Sequence, residues 1–496
     1  MDTTRSKDFS DWYQEVVRIA DLAENSLVRG CMVIKPWGMG TWERVQRVLD
    51  DRIKATGHDN CYFPLFIPVS LFQKEAEHVE GFAKEMALVT HTRLKIVDGQ
   101  IKLEGQLEEP LVVRPTSEAI IAETFAQWIQ SYRDLPVLVN QWANVVRWEM
   151  RPRLFLRTTE FLWQEGHTAH AEEAEAVAET ARMLEVYRAT MEERLALPVI
   201  PGEKAPHERF PGAVATYSVE AMMQDGKAVQ AGTSHNLGQG FAKAANIQFQ
   251  DRAGGLQFVH TTSWGVSTRL IGSVIMTHGD DDGLRLPPAI AASQVVIVPI
   301  LREDADKAAV LPYCDKLAER LRAASFQGEA LRVKIDLRDR KAQDKRWEWV
   351  KKGAPLIVEV GPRDVAKGEV CWINRLEIGK KNFESADSFV GQAVERLQAI
   401  QDGLLAQARA FRDANIRTDV RDLGAFSEYF SKKSEYLGKG TPGWVRAHWC
   451  GDPASLEVLD KMGVTIRNIP FDQKGPGTCV LTGRPAEKEV YFGRAY

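Results

Sequence analysis

Residues 144–167 read NVVRWEMRPRLFLRTTEFLWQEGH and place arginines and glutamates among tryptophans and phenylalanines. The residues on both sides of Arg151–Arg153 alternate in the manner of β-strands, so the pattern predicts a hairpin with these three residues at its tip. Successive strand residues point to opposite faces. One predicted face of the two strands carries Val145, Arg147, Glu149, Arg157, Thr159, Phe161, Trp163 and Glu165.

This mixed face has two interpretations. It could be a solvated sheet surface with cross-strand ion pairs, which are common. However, Phe161 and Trp163 share the face with Arg157 and Glu165, and large aromatic side chains are seldom left on a solvated surface. A binding surface fits better, because aromatic rings can stack on a base while guanidinium groups hold phosphate or carboxylate.

Length and composition limit what the hairpin can belong to. A chain of 496 residues predicts about three domains. Hydrophobic residues make up 44% and charged residues 27%, as in ordinary soluble proteins, and no stretch predicts a membrane span or a signal peptide. The six cysteines are scattered without the spacing of a disulfide framework, so we expect a cytoplasmic protein. A net charge of -4 argues against a generally basic nucleic-acid binder.

The pattern along the chain predicts three domains, at 1–288, 289–400 and 401–496. The first mixes alternating strands with amphipathic helices, and the Ala/Glu-rich residues 171–196 predict an exposed helix. After Pro287 and Pro288, strands alternate with helices, which predicts an α/β domain with a largely parallel sheet. A helix at about 385–412 leads into the last segment.

Two further stretches of the first region carry charge. LVVRPTSEAII (111–121) joins a strand to a helix, where Thr116, Ser117 and Glu118 could cap the helix or hold a substrate ammonium group. In SWGVSTRLIG (263–272), Arg269 enters an apolar helix. A buried arginine is costly unless it is paired, so Arg269 is a candidate phosphate ligand.

Together these stretches resemble the class II aminoacyl-tRNA synthetases, and specifically the prolyl-tRNA synthetases of the archaeal and eukaryotic type (class IIa). The resemblance covers nearly the whole chain and rests on RPTSE, NVVRWE…FLRTTEFLWQEGH, AGTSHNLGQ and SWGVSTR. GHDNCYFPLFIP would be the first class II motif, with Pro64 at a dimer interface. Class II enzymes usually have Glu before the arginine of the third motif, where this chain has Thr268, as prolyl enzymes commonly do.

The resemblance implies an α+β catalytic domain, with an antiparallel sheet flanked by helices, then an α/β anticodon-binding domain and a small α/β C-terminal domain. It implies Arg147 and Arg269 as catalytic residues. The implied ATP-binding residues are Arg147, Glu149, Arg157, Thr158, Phe161, Gln230, Thr233, Ser267 and Arg269. The implied proline-binding residues are Thr116, Glu118, Arg147, Trp163, Glu165, Phe210 and His235. The implied activity joins L-proline to tRNA(Pro) with ATP and Mg²⁺ in a homodimer, without membrane or DNA.

In the anticodon-binding region, the resemblance suggests RNA contacts by Glu348, Arg363, Lys380 and Lys381, although a solvated charged surface is a nearly equal alternative for each. The family commonly has arginine at the position of Ile357. A zinc site of four cysteines is often found in the family's last domain. Here Cys450 and Cys479 remain, but Ser455 and Leu481 stand at the other positions, so we expect no metal there.

Only about 65 residues separate His167 from Gly232, which leaves no room for the editing insertion of bacterial-type prolyl enzymes. Two rival functions fit less well. A synthetase-like regulator is expected to lose arginines such as Arg147 or Arg157. An adenylating ligase that loads a carrier protein does not need an anticodon-binding domain.

Overall fold

The computed structural model of the chain describes residues 1–73, 85–301, 304–431 and 442–496. Helices of the first region are α1 Phe9–Ile19, α2 Pro36–Ala55, α3 Val69–Gln73, α4 Glu118–Trp128, α5 Glu173–Leu195, α6 Gly240–Ala244 and α7 Arg269–His278. Its strands are β1 Ala23–Asn25, β2 Met32–Ile34, β3 Asp59–Asn60, β4 Phe66–Pro68, β5 Ala87–Val97, β6 Gln100–Val113, β7 Val137–Val146, β8 Glu160–His170, β9 Val199–Glu203, β10 Ala215–Met222, β11 Ala228–Gly238, β12 Gln248–Gln250, β13 Leu256–Phe258 and β14 His260–Ser267.

An antiparallel sheet forms the centre of this region. Its strand order is β9-β10-β11-β14-β8-β7-β3, and only β3 and β7 pair in parallel. The first helix shows how the sequence builds the helical layer beside this sheet, because α1 packs on α7. Asp8 caps α1 by accepting from the backbone of Ser10 and Asp11, and the helix buries an apolar face that includes Trp12 and Val16. The predicted α+β arrangement is therefore present.

The expectation of an exposed helix at 171–196 was wrong. Helix α5 buries Met183, Tyr187 and Met191, which recur every four residues and form one face against β11 and β14. The Tyr187 hydroxyl donates to Gln164 Oε1 at 2.7 Å, and its ring lies 6.3 Å from the Trp264 ring. Alanine- and glutamate-rich composition concealed this face, because most of the other positions of the helix are polar.

In the hairpin of residues 144–167, the strands are shorter and the loop between them is longer than predicted. The paired strands end at Val146 and resume at Glu160. Beyond Val146 the Arg147 amide still donates to the Thr159 carbonyl at 2.8 Å, but the backbone then leaves the ladder. The Glu149 carboxylate accepts from the Arg151 amide, and Phe155 has φ +62°. Local side-chain and turn geometry therefore replaces strand pairing here.

The second region has helices α8 Asp304–Arg322, α9 Ala342–Lys351, α10 Pro362–Lys367 and α11 Ala386–Ala414. Its strands are β15 Val295–Pro299, β16 Ser325–Phe326, β17 Glu329–Ala330, β18 Val333–Ile335, β19 Leu356–Val360, β20 Glu369–Asn374 and β21 Asn382–Ser385. The sheet order is β18-β15-β19-β20-β21. The pairings of β15 with β18 and with β19 are parallel, whereas those of β20 with β19 and with β21 are antiparallel. The expectation of a largely parallel sheet was therefore correct for only half of the strand pairs. The link between β19 and β20 is too short for a parallel crossover.

The last region continues the catalytic sheet. Its helices are α12 Leu423–Ser431 and α13 Leu456–Met462, and its strands are β22 Ile416–Arg417, β23 Trp444–Trp449, β24 Thr465–Pro470, β25 Gly477–Thr478, β26 Pro485–Ala486 and β27 Lys488–Gly493. Strand β24 pairs with β9 through Ile469 and Pro470, which produces one sheet of 11 strands. The chain end returns to the first region, where the Tyr496 hydroxyl donates to Asp225 at 2.6 Å.

Candidate active site

A cavity of about 360 Å³ lies on the central sheet, where β8, β10, β11 and β14 meet the starts of α4 and α7 and the residue that follows β7. All seven residues predicted to bind proline line it: Thr116, Glu118, Arg147, Trp163, Glu165, Phe210 and His235. Arg147 is also predicted to bind ATP, and five further residues of the predicted ATP set line the cavity as well, namely Phe161, Gln230, Thr233, Ser267 and Arg269. Residues that are distant in the sequence therefore face one space.

A second cavity, of about 200 Å³, adjoins the first. The two share Arg147, Phe161, Ser267 and Arg269. The remaining predicted ATP residues, Glu149, Arg157 and Thr158, line the second cavity. Arg157 Nε lies 3.3 Å from Glu149 Oε2, and the Thr158 hydroxyl is buried with no hydrogen-bond partner among the described residues. The structure thus brings together every predicted site residue of the first region, in two connected spaces.

One end of the larger cavity is anionic. Glu118 accepts from the Thr116 hydroxyl, and Glu165 accepts from the Ser117 hydroxyl at 2.5 Å. Ser117 therefore does not cap α4, which is one of the two roles considered for this junction, and no side-chain cap is formed there. Because the carboxylates of Glu118 and Glu165 line the same cavity, this end can hold a cationic group such as an ammonium.

His167 lies next to this anionic end and was not among the predicted site residues. Its Nε2 is 2.9 Å from Glu165 Oε2. Burial alone would lower the pKa of His167, but the hydrogen bond and charge of Glu165, with Glu118 nearby, raise it. The sequence held a signal for this residue, because His167 lies two positions after Glu165 on β8 and therefore points to the same face.

The cavity also carries positive charge. Arg147 donates from Nε to the Pro115 carbonyl at 2.8 Å, and its guanidinium lies 5.7 Å from the Phe161 ring and 5.5 Å from the Trp163 ring. Burial lowers the pKa of Arg147, and the carboxylates of Glu118, Glu85 and Glu165 oppose that shift. The guanidinium is held by rings and carboxylates at the junction of the two cavities.

Arg269 is the second half-buried arginine of the site, at the start of α7. Its Nε donates to the Leu156 carbonyl at 3.2 Å. Burial, with the positive charges of Arg147 and Arg157, lowers the pKa of Arg269 to about 10. The group stays charged at neutral pH, and an anion placed among these three arginines would lower the free energy of the cluster.

An aromatic wall closes the cavity near its anionic end. The Phe210 and His235 rings are 4.6 Å apart, and His235 Nδ1 lies 3.0 Å from the Thr216 hydroxyl. Burial lowers the pKa of His235 to about 4, so its imidazole is neutral at physiological pH. Trp163 Nε1 is buried at the same cavity without a partner among the described residues. The wall thus combines apolar surface with a donor for a ligand.

Other cavity residues escaped prediction. They are Glu208, Arg209, Pro211, Thr216, Ala231, Gly232, Ser263, Trp264, Gly265 and Val266, in addition to His167. Glu208 and Arg209 precede Phe210 in the same loop, which was a signal. Ser263 was not detectable, because its place depends on the pairing of β14 with β8 across about one hundred residues of sequence.

The anticodon candidates lie apart from this cavity. Glu348 on α9 pairs with Arg338 at 2.6 Å and with Arg340. All three basic candidates are exposed, but Lys381 pairs with Glu359 at 2.7 Å, whereas Arg363 and Lys380 form no ion pair among the described residues. Ile357 is fully buried in the core, so it presents no side chain to a ligand.

Among the described residues, the other positions expected for a metal site near the two C-terminal cysteines have side chains engaged elsewhere. Cys450 Sγ lies 3.4 Å from the Thr482 hydroxyl, and Asp452 pairs with Arg484. The Ser455 hydroxyl accepts from Trp449 Nε1 at 2.8 Å, while Leu481 is buried. Within the described residues there is no group of three or more histidine, cysteine or acidic side chains arranged to hold a metal.

Family models match three parts of the chain. Residues 101–278 match the class II core domain of the tRNA synthetases for G, H, P, S and T. Residues 294–400 match an anticodon-binding domain, and residues 434–496 match the C-terminal domain of prolyl-tRNA synthetase. Fold and site thus define a class II aminoacyl-tRNA synthetase, and the predicted fold class is confirmed.

Curated relatives specify the family. A protein named proline–tRNA ligase from Paramagnetospirillum magneticum is 60% identical over 99% of this chain and 98% of its own length. Proteins of the same name from Sphingopyxis alaskensis and Protochlamydia amoebophila are 58% and 56% identical, over 95% and 98% of their lengths. The chain belongs to the proline–tRNA ligase family. These relatives do not support the expected archaeal and eukaryotic subtype.

Proposed function

We propose that the larger cavity binds L-proline beside ATP and activates it for transfer to tRNA(Pro). The observation that carries this proposal is the placement of two carboxylates, Glu118 and Glu165, in one cavity with two half-buried arginines, Arg147 and Arg269. An amino acid carries one ammonium and one carboxylate group, which carboxylates and arginines can bind respectively. Trp163, Phe210 and neutral His235 add an apolar wall that suits a compact ring.

In the proposed first step, an oxygen of the proline carboxylate attacks the α-phosphorus of ATP. The bond from the α-phosphorus to the bridging oxygen breaks, and diphosphate leaves, with prolyl-adenylate as product. Thr116, Glu118 and His235 hold the ring nitrogen end, and Arg147 holds the carboxylate and the α-phosphate. No protein nucleophile is needed, because catalysis consists of alignment and charge stabilisation.

The second cavity, together with the part of the first cavity that Gln230 and Thr233 line, suits the nucleotide. We assign Phe161 to stacking on adenine, Glu149 to the adenine amino group and Arg269 to the γ-phosphate, with Arg157, Thr158, Gln230, Thr233 and Ser267 as further contacts. Mg²⁺ commonly binds through few protein carboxylates and mainly through substrate phosphates. This mode of binding does not require a cluster of three protein ligands, and the described residues contain none. Mg²⁺ would neutralise phosphate charge when bound.

In the second step, the terminal tRNA hydroxyl attacks the prolyl carbonyl, and AMP leaves. We propose that 289–400 reads the anticodon, with Arg363 and Lys380 as the most available contacts because both are exposed. Glu348 and Lys381 already carry ion pairs, which binding would have to replace. The proposed boundaries are 1–288, 289–400 and 401–496.

Amino-acid-dependent exchange of diphosphate into ATP tests the assignment directly. Across the twenty amino acids, proline alone should support strong exchange. A preference for threonine or glycine would contradict the proposal, and so would exchange that does not depend on any amino acid. The same measurement distinguishes the enzyme from the rival synthetase-like regulator, for which no exchange is expected.

We also propose the short architecture of the archaeal and eukaryotic subtype, without an editing domain. Between His170 and Ala228, the described chain contains α5, β9, the segment 204–214 with one 3₁₀ turn at Pro206–Glu208, and β10. A cavity sized for proline does not exclude the smaller alanine by shape, so discrimination should be modest. Rapid hydrolysis of Ala-tRNA(Pro) by the purified chain would contradict this proposal.

A homodimer is proposed from an exposed apolar surface. Leu94, Ile96, Ile101 and Leu103 lie on one face of the β5–β6 hairpin, where Leu94 pairs with Leu103 and Ile96 with Ile101. All four are more than 60% exposed, and such a patch marks an interaction surface. Sedimentation should show a dimer that dissociates on Ile96→Ser with Ile101→Ser but not on Thr92→Ser. A monomeric wild-type chain would contradict this.

Two proposals concern the environment of the protein. No helix among the described residues is long and apolar enough to cross a membrane, and we propose action in the cytoplasm, where tRNA is charged. We further propose that the C-terminal region needs no zinc, because Arg484 already neutralises Asp452. One tightly held zinc per chain, lost on Cys450→Ser, would contradict the second proposal.

A further inference from the structure

A third cavity, of about 200 Å³, lies between the catalytic and anticodon-binding regions and shares no lining residue with the two cavities of the active site. Helix α2 contributes Arg47 and Arg52, and the last turn of α5 contributes Arg194. The tight turn between β16 and β17 contributes Gln327 and Glu329. Gln327 and Gly328 both have positive φ, of 51° and 91°, which lets two residues reverse the chain into the cavity.

Positive charge exceeds negative charge around this cavity. The carboxylate of Glu329 forms ion pairs with three arginines, at 2.5 Å from Arg44, 2.9 Å from Arg332 and 3.8 Å from Arg47. Arg332 also donates to backbone carbonyls of the linker, and burial with the nearby charge of Arg44 lowers its pKa to about 10. Around the cavity, Arg44, Arg47, Arg52, Arg194 and Arg332 face the carboxylates of Asp51, Glu193 and Glu329. The cluster therefore has an excess of two positive charges.

Arg194 holds the least compensated of these charges. Its Nη1 donates to the neutral amide oxygen of Gln327, and within the described residues it makes no ion pair. Its Nε is buried without an acceptor among those residues, and so is the Nε of Arg44. Burial, followed by the charge of Arg52, lowers the pKa of Arg194. Buried N–H donors of charged groups are costly when unpaired, so the arrangement favours an acceptor anion.

We propose that this cavity binds a phosphate group. Guanidinium groups recognise phosphate through paired donors, and the oxygens of one phosphate can satisfy several buried N–H groups at once. The volume of about 200 Å³ leaves room for a phosphate or a diphosphate. The bound anion would connect α2 and α5 to the β16–β17 turn. Its source is either a free phosphate ion or a phosphate of the tRNA backbone.

Isothermal titration calorimetry of the full chain with inorganic phosphate, and separately with diphosphate, tests the free-ion source. The ionic strength is held constant with potassium chloride. The comparison is between wild type, Arg194→Gln and Arg188→Gln, a change of an arginine on the same helix that pairs with Glu185. Any binding at the active site is common to the three proteins and cancels. Saturable binding weakened at least tenfold only in Arg194→Gln supports the proposal.

Binding of tRNA(Pro) to the same three proteins tests the second source. If free phosphate does not bind, a tenfold weaker affinity for tRNA in Arg194→Gln alone assigns the site to an RNA phosphate. Proline-dependent diphosphate exchange should be unchanged in Arg194→Gln, which shows that the variant is folded. If Arg194→Gln binds phosphate, diphosphate and tRNA as the wild type does, the proposal is overturned.

Discussion

At the scale of single residues, burial determines which charges are available for chemistry. Arg147 and Arg269 are held among rings, carboxylates and backbone carbonyls, so their positions are set before a substrate enters. Such prepared charge stabilises a transition state without reorganisation. The imidazoles respond differently, since Glu165 raises the pKa of His167 while burial lowers that of His235. The pKa values of these two histidines in one cavity are therefore shifted in opposite directions.

Arg147→Ala should nearly abolish diphosphate exchange, because its guanidinium is assigned to the α-phosphate. The expected loss in kcat is about 10²–10³-fold, the effect of removing one transition-state donor. Glu118→Ala should mainly raise KM for proline, since its carboxylate is assigned to the substrate nitrogen. Steady-state kinetics separates the two effects, with the exposed Arg133→Ala as control. Equal kcat in the wild type and Arg147→Ala would refute the assignment.

Acid should destabilise the fold partly through His278. Burial lowers the pKa of His278 to about 4, whereas an unfolded histidine titrates near 6.5. The unfolded state therefore binds more protons between these pH values, and stability falls as the pH drops from about 6.5 to 4. At pH 5 the loss from this residue is roughly 2 kcal/mol. Urea unfolding at pH 7.5 and 5.0 should show that His278→Asn loses less unfolding free energy between these pH values than the wild type does. An equal loss in both proteins would exclude His278 as a cause.

At the scale of elements, tight contacts between strands and helices position the cavity. Strands β8 and β14 pair along their length, with Gly166 opposite Trp264. The buried Trp264 ring occupies the place where a Cβ of residue 166 would lie, and the same ring packs on Tyr187 of α5. Glycine at position 166 is thus a packing requirement that connects the sheet to the helix behind it.

Gly166→Ala should lower the free energy of unfolding by roughly 1–3 kcal/mol, because the ring and backbone must move to admit one methyl group. Gly391→Ala is the matched control, since that glycine lies in α11 with open space around it. The control should be neutral or stabilising by about 0.5–1 kcal/mol through helix propensity. Denaturant unfolding measures both changes. Identical stabilities for the two variants would show that the ring does not restrict position 166.

At the scale of the whole molecule, buried polar contacts join the regions. Arg375 of the anticodon-binding region donates twice to Asp280, at 2.7 and 2.9 Å, and Arg375 is only 1% exposed. A bidentate pair of this kind aligns two domains in one geometry. On the other side of the catalytic region, β24 extends the sheet directly. The catalytic region is therefore attached to both of its neighbours by directional contacts.

Arg375→Ala should cost about 3–5 kcal/mol of unfolding free energy, because it leaves the Asp280 carboxylate buried with less compensation. Arg320→Ala, which breaks an exposed pair with Asp387, should cost at most about 1 kcal/mol. Burial opposes ionisation of Asp280, but Arg375 and Arg285 lower its pKa, so its contribution is present above pH 4 and is lost in stronger acid. Thermal and denaturant unfolding measure the stability of both variants, and equal losses of unfolding free energy would refute the role of the pair.

Much of the site could be predicted from the sequence because alternation within a strand is local. Phe161, Trp163 and Glu165 share a face on β8 as their spacing requires. The alternating pattern gave a wrong prediction for the residues after Val146, where side-chain contacts and turns replace strand pairing. The prediction for α5 was also wrong, because its buried face is narrow and most of its other residues are polar. The third cavity gave no local signal, because Arg194 and Gln327 are 133 positions apart and meet only through the packing of two regions.

The sequence by itself determined the residues that carry charge, the strands and helices that present them, and the resemblance that assigned the family. These properties depend on short-range spacing and on motifs that survive without coordinates. Only the tertiary structure decided which charges meet across the sheet, which arginines remain without a carboxylate, and that the last region continues the catalytic sheet. Such outcomes depend on long-range pairing and burial, which set electrostatic energies through distance and desolvation rather than through position along the chain.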